Sequence, residues 1–232
     1  MTRRWSPRRL AVAGVLLVWA VVFWELLLTG RTSLYLSPRT AWVVPTGAIL
    51  LTLAALGRLA TARTERTERL GSVWGLGLVV LPAVLILAVP PAALGSYAAS
   101  RRSLAAGVVA GPSAVAVGDR VTLASVAAAT WSEEARRALA DRAGSRVTFE
   151  GIVTRREGQP AGEFVLTRFI VSCCVADALS VQVRVVGVPP GRFREDQWVR
   201  VTGTFYPVGR ETVVDASTID PIPRPSDPYL SV

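Results

Sequence analysis

Residues 10–28, LAVAGVLLVWAVVFWELLL, are nineteen consecutive residues with one charged side chain, Glu25. A helix rises about 1.5 Å per residue, so this stretch is long enough to cross the roughly 30 Å hydrocarbon core of a bilayer. A cleaved signal peptide is the alternative interpretation, because arginines precede the apolar stretch. Its length, its two tryptophans and the TGRTS sequence that follows it favour a retained membrane helix.

Two further apolar stretches follow, at residues 42–57 and residues 73–94. Both are long enough to span a bilayer. Trp42, Trp74 and Tyr97 lie near the predicted helix ends, where amphipathic rings favour the headgroup region. The sequence therefore predicts a membrane anchor of three transmembrane helices over residues 1–95.

The net charge of +9 suggests nucleic-acid binding until it is divided by region. Residues 1–95 contain ten arginines and three glutamates, whereas residues 96–232 contain sixteen arginines and fourteen acidic residues. The basic excess thus flanks the apolar stretches, as topology signals do, and the second part shows no arginine stripe interleaved with aromatic residues. We expect no nucleic-acid partner.

The arginine counts also predict the direction of the anchor. Four arginines precede the first stretch, two lie in the first loop and four lie in the second loop. Because cytoplasmic loops are enriched in arginine, the N-terminus is predicted to be cytoplasmic and everything after about residue 95 extracytoplasmic. Arg101 and Arg102 oppose this direction, but charges before a long translocated domain have less influence.

Residues 96–125 are predicted to be a linker, and residues 126–232 a separate exported domain. The sequence TWSEEARRALADRAG at residues 130–144 predicts a short helix. Thr130 and Glu133 have the capping-box spacing, and Gly144 ends the pattern. Trp131, Ala135 and Leu139 recur every four residues, so one face of this helix can pack on a sheet.

Five β-rich runs follow, and their apolar residues alternate with polar ones. Five strands favour a small, partly open OB-like barrel over a sandwich, which uses seven or more. Gly151 and Gly203 fall within strands, where a barrel needs bends. The runs are SRVTFEGIVTR, EFVLTRFIVSCC, SVQVRVVG, QWVRVTGTFYPV and ETVVDASTI. The predicted fold is an α-helical membrane anchor plus an all-β, OB-like five-stranded barrel with one short helix.

The two cysteines of the chain are adjacent, Cys173 and Cys174, and Asp177 follows closely. Neighbouring side chains in a strand point to opposite faces, so both cysteines can face one ligand only where the strand has ended or bulged. Two thiolates and a carboxylate would suit zinc or another soft or borderline metal such as copper. With no histidine and no third cysteine, that site needs a further ligand from water, the backbone or a second subunit.

Two other interpretations of the cysteine pair stay open. A disulfide between neighbours is strained, because ordinary disulfides join Cα atoms about 4.4–6.8 Å apart and adjacent Cα atoms lie about 3.8 Å apart. Such a strained bond is easily reduced and would give a redox-responsive site. Alternatively, both cysteines are small buried apolar residues and Asp177 is a turn former.

The loop residues Tyr35, Leu36 and Pro38, together with RFIVSCCVADA at residues 168–178, resemble the YcgQ-like family of permease subunits. The resemblance covers nearly the whole chain, and the CCVADA block is its most specific part. It implies a multi-pass protein of the bacterial cell membrane that pairs with a larger multi-helix permease, and some members are associated with zinc-responsive regulation. It implies no enzymatic activity.

The resemblance carries Arg168, Cys173, Cys174 and Asp177 over as candidate functional residues, with Arg168 in a supporting role. The first hypothesis is therefore a non-catalytic accessory subunit, with lipid and a permease as partners, that binds or gates a metal or metal-related solute at the extracytoplasmic face. The alternatives are an exported, membrane-anchored thiol redox protein and a scaffold for cell-envelope assembly.

Overall fold

A computed structural model describes residues 4–64, 73–89, 92–101, 120–209 and 211–231. The chain divides into two compact units, Met1–Pro91 and Ala92–Val232. The first unit is mainly helical and the second contains the larger sheet.

Among its described residues, the first unit contains three α-helices: α1 (Pro7–Leu28), α2 (Val43–Ala60) and α3 (Val73–Ala88). Two short strands, β1 (Arg4–Trp5) and β2 (Arg63–Thr64), pair antiparallel beside the start of α1 and the end of α2. By length and composition, α1 and α2 are apolar enough to cross a membrane. The third helix ends at Ala88, short of the predicted residue 94, because the two prolines that follow disfavour helical continuation.

Small residues lie where α1 and α2 approach each other. Gly47 faces the ring of Phe23, and a Cβ added at Gly47 would lie 2.5 Å from that ring. The Trp24 indole donates to the Thr52 hydroxyl at 3.2 Å. Buried alanines occupy the same two helices, whereas large apolar side chains such as Leu50 are more than half exposed. The arrangement is inverted relative to a helix bundle in water, where large apolar side chains are buried.

The second unit contains a closed five-stranded β-barrel. The strand order is β3-β6-β7-β5-β4, and β4 pairs back with β3 to close the barrel. Neighbours are antiparallel except β5 and β7, which are parallel, and β8 adds to the outer edge of β4 in parallel. The strands are β3 (Arg146–Thr154), β4 (Phe164–Val171), β5 (Leu179–Val186), β6 (Trp198–Val208), β7 (Glu211–Pro221) and β8 (Tyr229–Ser231). The five predicted strands are confirmed, and β8 is additional.

Both glycines predicted to bend the barrel lie where strands approach closely. A Cβ at Gly151 would lie 2.6 Å from the carbonyl oxygen of Thr167 on β4. The register between β6 and β7 shifts at Gly203, where a Cβ would meet the backbone carbonyl of Asp215. Only glycine leaves room for these contacts, so both residues contribute directly to closure.

Within residues 92–101 and 120–145, which the structure describes, three α-helices precede the barrel, not one: α4 (Ser96–Arg101), α5 (Leu123–Trp131) and α6 (Glu133–Ala140). Thr130 was the wrong cap residue, because it lies inside α5. The N-cap of α6 is Ser132, which is extended and accepts the N–H of Ala135 at 3.2 Å. The predicted packing face is confirmed, because Ala135 and Leu139 are buried and Trp131 packs on the same core.

Two apolar clusters stabilise this unit. The larger fills the barrel and the space under α5 and α6, with Phe164, Leu166 and Phe205 fully buried. The smaller lies on the outside, under α4, and comprises Ala99, Ile152, Phe169, Val171 and Ala178. Burial of apolar surface on both sides of β4 fixes this strand in place. The segment between β4 and β5 is consequently held at both ends, because Val171 precedes it and Ala178 closes it.

Candidate functional site

The two cysteines lie in the connection between β4 and β5. Strand β4 ends at Val171, and a single 3-10 turn, Val175–Asp177, leads into β5. Because the strand has ended, Cys173 and Cys174 are released from the alternation that would point them to opposite faces. Their Sγ atoms lie 3.7 Å apart, and no disulfide joins them.

The carboxylate of Asp177 organises this connection. Its Oδ1 accepts the backbone N–H of Ser172 at 2.9 Å, and its Oδ2 accepts those of Cys173 at 2.8 Å and Cys174 at 3.3 Å. Three consecutive N–H groups therefore converge on one side chain, in the manner of an aspartate that caps a turn. The carboxylate fixes the backbone that carries both thiols.

The thiols are accessible. Cys173 is exposed, whereas Cys174 and Asp177 are half-buried. The interpretation of both cysteines as buried core residues is therefore wrong: the connection reverses direction above the smaller cluster, and only its flanking residues, Val171 and Ala178, enter that cluster. The loop presents sulfur to solvent from a fixed backbone.

The electrostatics of the site keep Cys173 protonated. Its hydrogen bond to Asp177, and then that to Cys174, raise the pKa of the Cys173 thiol to about 11. Partial burial alone would raise the pKa of Asp177, but hydrogen bonds from the Cys173 thiol and the three N–H groups lower it. At neutral pH the Cys173 thiol is therefore protonated and lies beside a carboxylate anion. A metal that binds here must displace a thiol proton.

The donor set suits a thiophilic metal but leaves its coordination incomplete. One ligand atom from each of Cys173, Cys174 and Asp177 lies within 4.8 Å of the others. A carboxylate has about four acceptor positions, and the backbone already occupies three of these on Asp177. Two sulfurs are thus the main donors, whereas a closed zinc site has four ligands.

Arg168 lies on the barrel wall, away from the turn that carries the thiols. Its guanidinium donates to the carbonyl oxygen of Asp227 at 2.8 Å, lies 3.8 Å from the Glu150 carboxylate and stacks 5.7 Å from the Trp198 ring centre. Burial lowers the pKa of Arg168, and the nearby Glu150 and Asp227 oppose that effect. These contacts indicate that Arg168 ties β4 to β3 and to the segment before β8.

Sequence reasoning missed the partners of Arg168. Glu150 on β3 lies directly opposite Arg200 on β6, and the two side chains form an ion pair at 2.7 Å. The sequence contained one signal for this pair: an acidic residue on one strand and a basic residue on another, at positions whose side chains point to the same face. The signal can be used only when the register between the two strands is known.

Comparison with known families identifies the second unit. A family model described as the DUF1980 C-terminal domain matches residues 114–231. The chain belongs to the DUF1980 family. The matched DUF1980 region includes the whole barrel, α5, α6, both cysteines and Asp177. This membership is consistent with the resemblance to YcgQ-like proteins.

Two further comparisons add little to the DUF1980 assignment. No curated protein matches the chain significantly. Among solved structures, a chain from a replication protein A heterotrimer bound to single-stranded DNA matches with 19% identity and a TM-score of 0.23. That match covers 34% of this chain and 57% of the other. A TM-score of this size indicates neither a shared fold nor a shared function.

Proposed function

We propose that this DUF1980 protein is a membrane-anchored, non-catalytic accessory subunit of a multi-helix permease. In this role, Cys173 and Cys174 capture or gate a metal or metal-related solute at the extracytoplasmic face. The observation that carries the proposal is the pair of accessible sulfurs, 3.7 Å apart, on a turn whose backbone is fixed by Asp177. Soft thiolate donors on a rigid support are a common means of binding zinc or copper.

The anchor in this proposal consists of α1, α2 and α3, with the N-terminus in the cytoplasm. Its support is the packing of small residues between helices and the exposure of large apolar side chains, which suit lipid and a partner's helices. The distribution of arginine supports the direction, because arginine is concentrated around the start of α1 and around the end of α2. This direction puts the thiols outside the cytoplasm.

The barrel in this proposal is OB-like. Its strand order, in which β3 neighbours both β4 and β6 while β5 and β7 run parallel, supports a five-stranded Greek-key barrel of that kind. Barrels of this type often bind oligonucleotides, but the near-balanced charge of residues 96–232 favours another use. In this proposal, that use is the binding of a metal or metal-related solute by the thiol-bearing turn at the end of β4.

The test is a double variant, Cys173→Ser with Cys174→Ser, in cells that contain the partner permease. The proposal predicts loss of the permease-dependent change in cellular metal content, while the variant still reaches the membrane fraction and co-purifies with the permease. Ala176→Ser is the matched control, because it adds a hydroxyl at an exposed position in the same turn and retains both thiols. Unchanged metal content in the double variant would contradict the proposal.

An exported thiol redox protein is the second candidate. The adjacency of two thiols that no disulfide joins, one of them exposed, favours it. Two observations weigh against it: closing the bond requires the sulfurs to move from 3.7 Å to about 2.05 Å, and the raised pKa of Cys173 lowers the population of reactive thiolate. Thiol labelling of membranes prepared with and without reductant separates the candidates, because only a redox protein gains labelled thiols on reduction.

A further inference from the structure

We infer that Cys173 and Cys174 bind a four-coordinate, thiophilic divalent cation of the zinc type through two protein sulfurs only, as an exchange site and not a storage site. This inference rests on the proposed function and specifies its solute. The remaining coordination positions are open to water or to ligands of the partner that receives the ion.

The distance between the sulfurs selects the coordination geometry. In a tetrahedral site with metal–sulfur bonds of about 2.3 Å, two sulfurs lie about 3.8 Å apart. The observed separation is 3.7 Å. A linear sulfur–metal–sulfur arrangement with the same bond length would require roughly 4.6 Å, so the linear geometry open to copper(I) requires the two sulfurs to move apart. The geometry is preformed for tetrahedral binding.

The backbone that carries the two sulfurs has little freedom. The N–H groups of both cysteines are bound to the same carboxylate oxygen, Oδ2 of Asp177. Widening the sulfur pair by backbone rotation would break at least one of these hydrogen bonds. Asp177 is therefore a positioning residue, which acts on the metal through the backbone of its two sulfur ligands.

The open coordination follows from exposure and from the donor count. Structural zinc sites use four protein ligands, whereas functional sites keep a position open for an exogenous ligand. Here Cys173 is exposed, and no further His, Cys, Asp or Glu joins the group among the residues that the structure describes. An ion bound by two sulfurs at the surface remains reachable by a competing ligand, so it exchanges quickly.

The experiment uses the full chain in lipid nanodiscs, titrated with Co²⁺ as a spectroscopic probe and with Zn²⁺. We expect one ion per chain, thiolate-to-cobalt absorption and the visible bands of tetrahedral Co²⁺. X-ray absorption of the Zn²⁺ form should count two sulfurs and two lighter ligands. A small chelator should remove the ion within the mixing time of a manual assay.

Variants separate ligands from the positioning residue. Cys173→Ser and Cys174→Ser should each weaken Co²⁺ binding at least tenfold and remove part of the thiolate absorption. Asp177→Asn should weaken binding but retain the full thiolate band per bound ion, because both sulfurs remain. Ala176→Ser should bind as the wild type does.

Three results would overturn the inference: octahedral Co²⁺ without thiolate absorption, one ion shared by four thiolates of two chains, or tight Cu⁺ binding with no Zn²⁺ bound. The number of sulfur ligands, measured by X-ray absorption on the wild-type protein, tests the inference even if a variant fails to fold. Failure here is distinguishable from failure of the proposed function. If the double serine variant loses metal accumulation while Co²⁺ is not bound tetrahedrally, only the ion class is wrong.

Discussion

The backbone N–H of Cys173 donates to the carboxylate of Asp177 at 2.8 Å, and the thiol of Cys173 hydrogen-bonds the same carboxylate. One side chain thus controls both the position and the protonation of the exposed thiol. Replacing that side chain should have separate consequences for stability and for reactivity.

Asp177→Ala should destabilise the protein, because three backbone N–H groups lose their acceptor. Bonds to the charged carboxylate contribute the most, but water replaces them in this accessible turn, so we expect a loss of about 1–2 kcal/mol. Thermal unfolding of the full chain, followed by circular dichroism, measures it. Ala176→Ser should leave the transition unchanged, and an equally stable Asp177→Ala protein would show that the carboxylate does not organise the turn.

The alkylation of Cys173 should depend on pH in an unusual range. Because the pKa of this thiol is raised to about 11, the proton is retained at neutral pH and the rate should climb throughout the alkaline range. An unperturbed thiol has a pKa of about 8.5 and is already mostly thiolate one unit above it. Mass spectrometry of iodoacetamide-treated protein measures the rate at this residue.

Asp177→Asn should shift that alkylation profile to lower pH, because the anionic hydrogen-bond acceptor is lost. A profile that already levels off near the ordinary thiol range in the wild type would contradict the assigned hydrogen bond. So would an Asp177→Asn profile identical to that of the wild type.

Gly203→Ala should weaken the barrel. The new methyl group would meet the backbone carbonyl of Asp215 on β7, and overpacking of this kind costs about 1–3 kcal/mol. Gly162→Ala is the matched control, since the carbonyl of Val188 lies 3.6 Å from its added Cβ, an ordinary contact. Equal unfolding temperatures for the two variants would show that the bulge between Thr202 and Gly203 tolerates a side chain.

Arg168→Met should lower stability without altering thiol chemistry. It removes the contacts with Glu150, Trp198 and Asp227, and we expect a loss of about 1–3 kcal/mol, as for a partly buried hydrogen-bonded charge. The measurement combines thermal unfolding with the alkylation profile of Cys173. A changed alkylation profile in a folded Arg168→Met protein would mean that this arginine belongs to the thiol site after all.

The strands of the barrel were predictable because their alternation has a period of two over six or more residues, as in VQVRVV and VRVTGTF. The helices were harder to predict from the sequence. α5, LASVAAATW, is capped by Thr122 and Ser125 in place of a threonine–glutamate pair, and its small residues give weak periodicity. Short β8 has too few residues for any pattern, and it pairs with β4 from a distance of about sixty positions in sequence.

The candidate residues were identifiable from sequence, but their geometry was not. Adjacent cysteines are visible in any sequence, and the need for a strand end at that point followed from strand alternation. The convergence of three N–H groups on Asp177 depends on the backbone angles of a single turn. Arg168 was grouped with the thiols because it belongs to the same block that resembles the YcgQ-like family, whereas β4 presents it beside Glu150 on the barrel wall.

Thiol labelling of intact cells is the sharpest test of whether Cys173 and Cys174 bind metal outside the cytoplasm. A membrane-impermeant maleimide is added to cells expressing the full chain, with and without prior Zn²⁺, and Cys173 modification is quantified after purification. An extracytoplasmic, metal-binding pair of thiols should be modified from outside the intact cell and protected by Zn²⁺, and Cys174→Ser should remove the protection. Modification only after lysis, or modification that Zn²⁺ does not reduce, would contradict it.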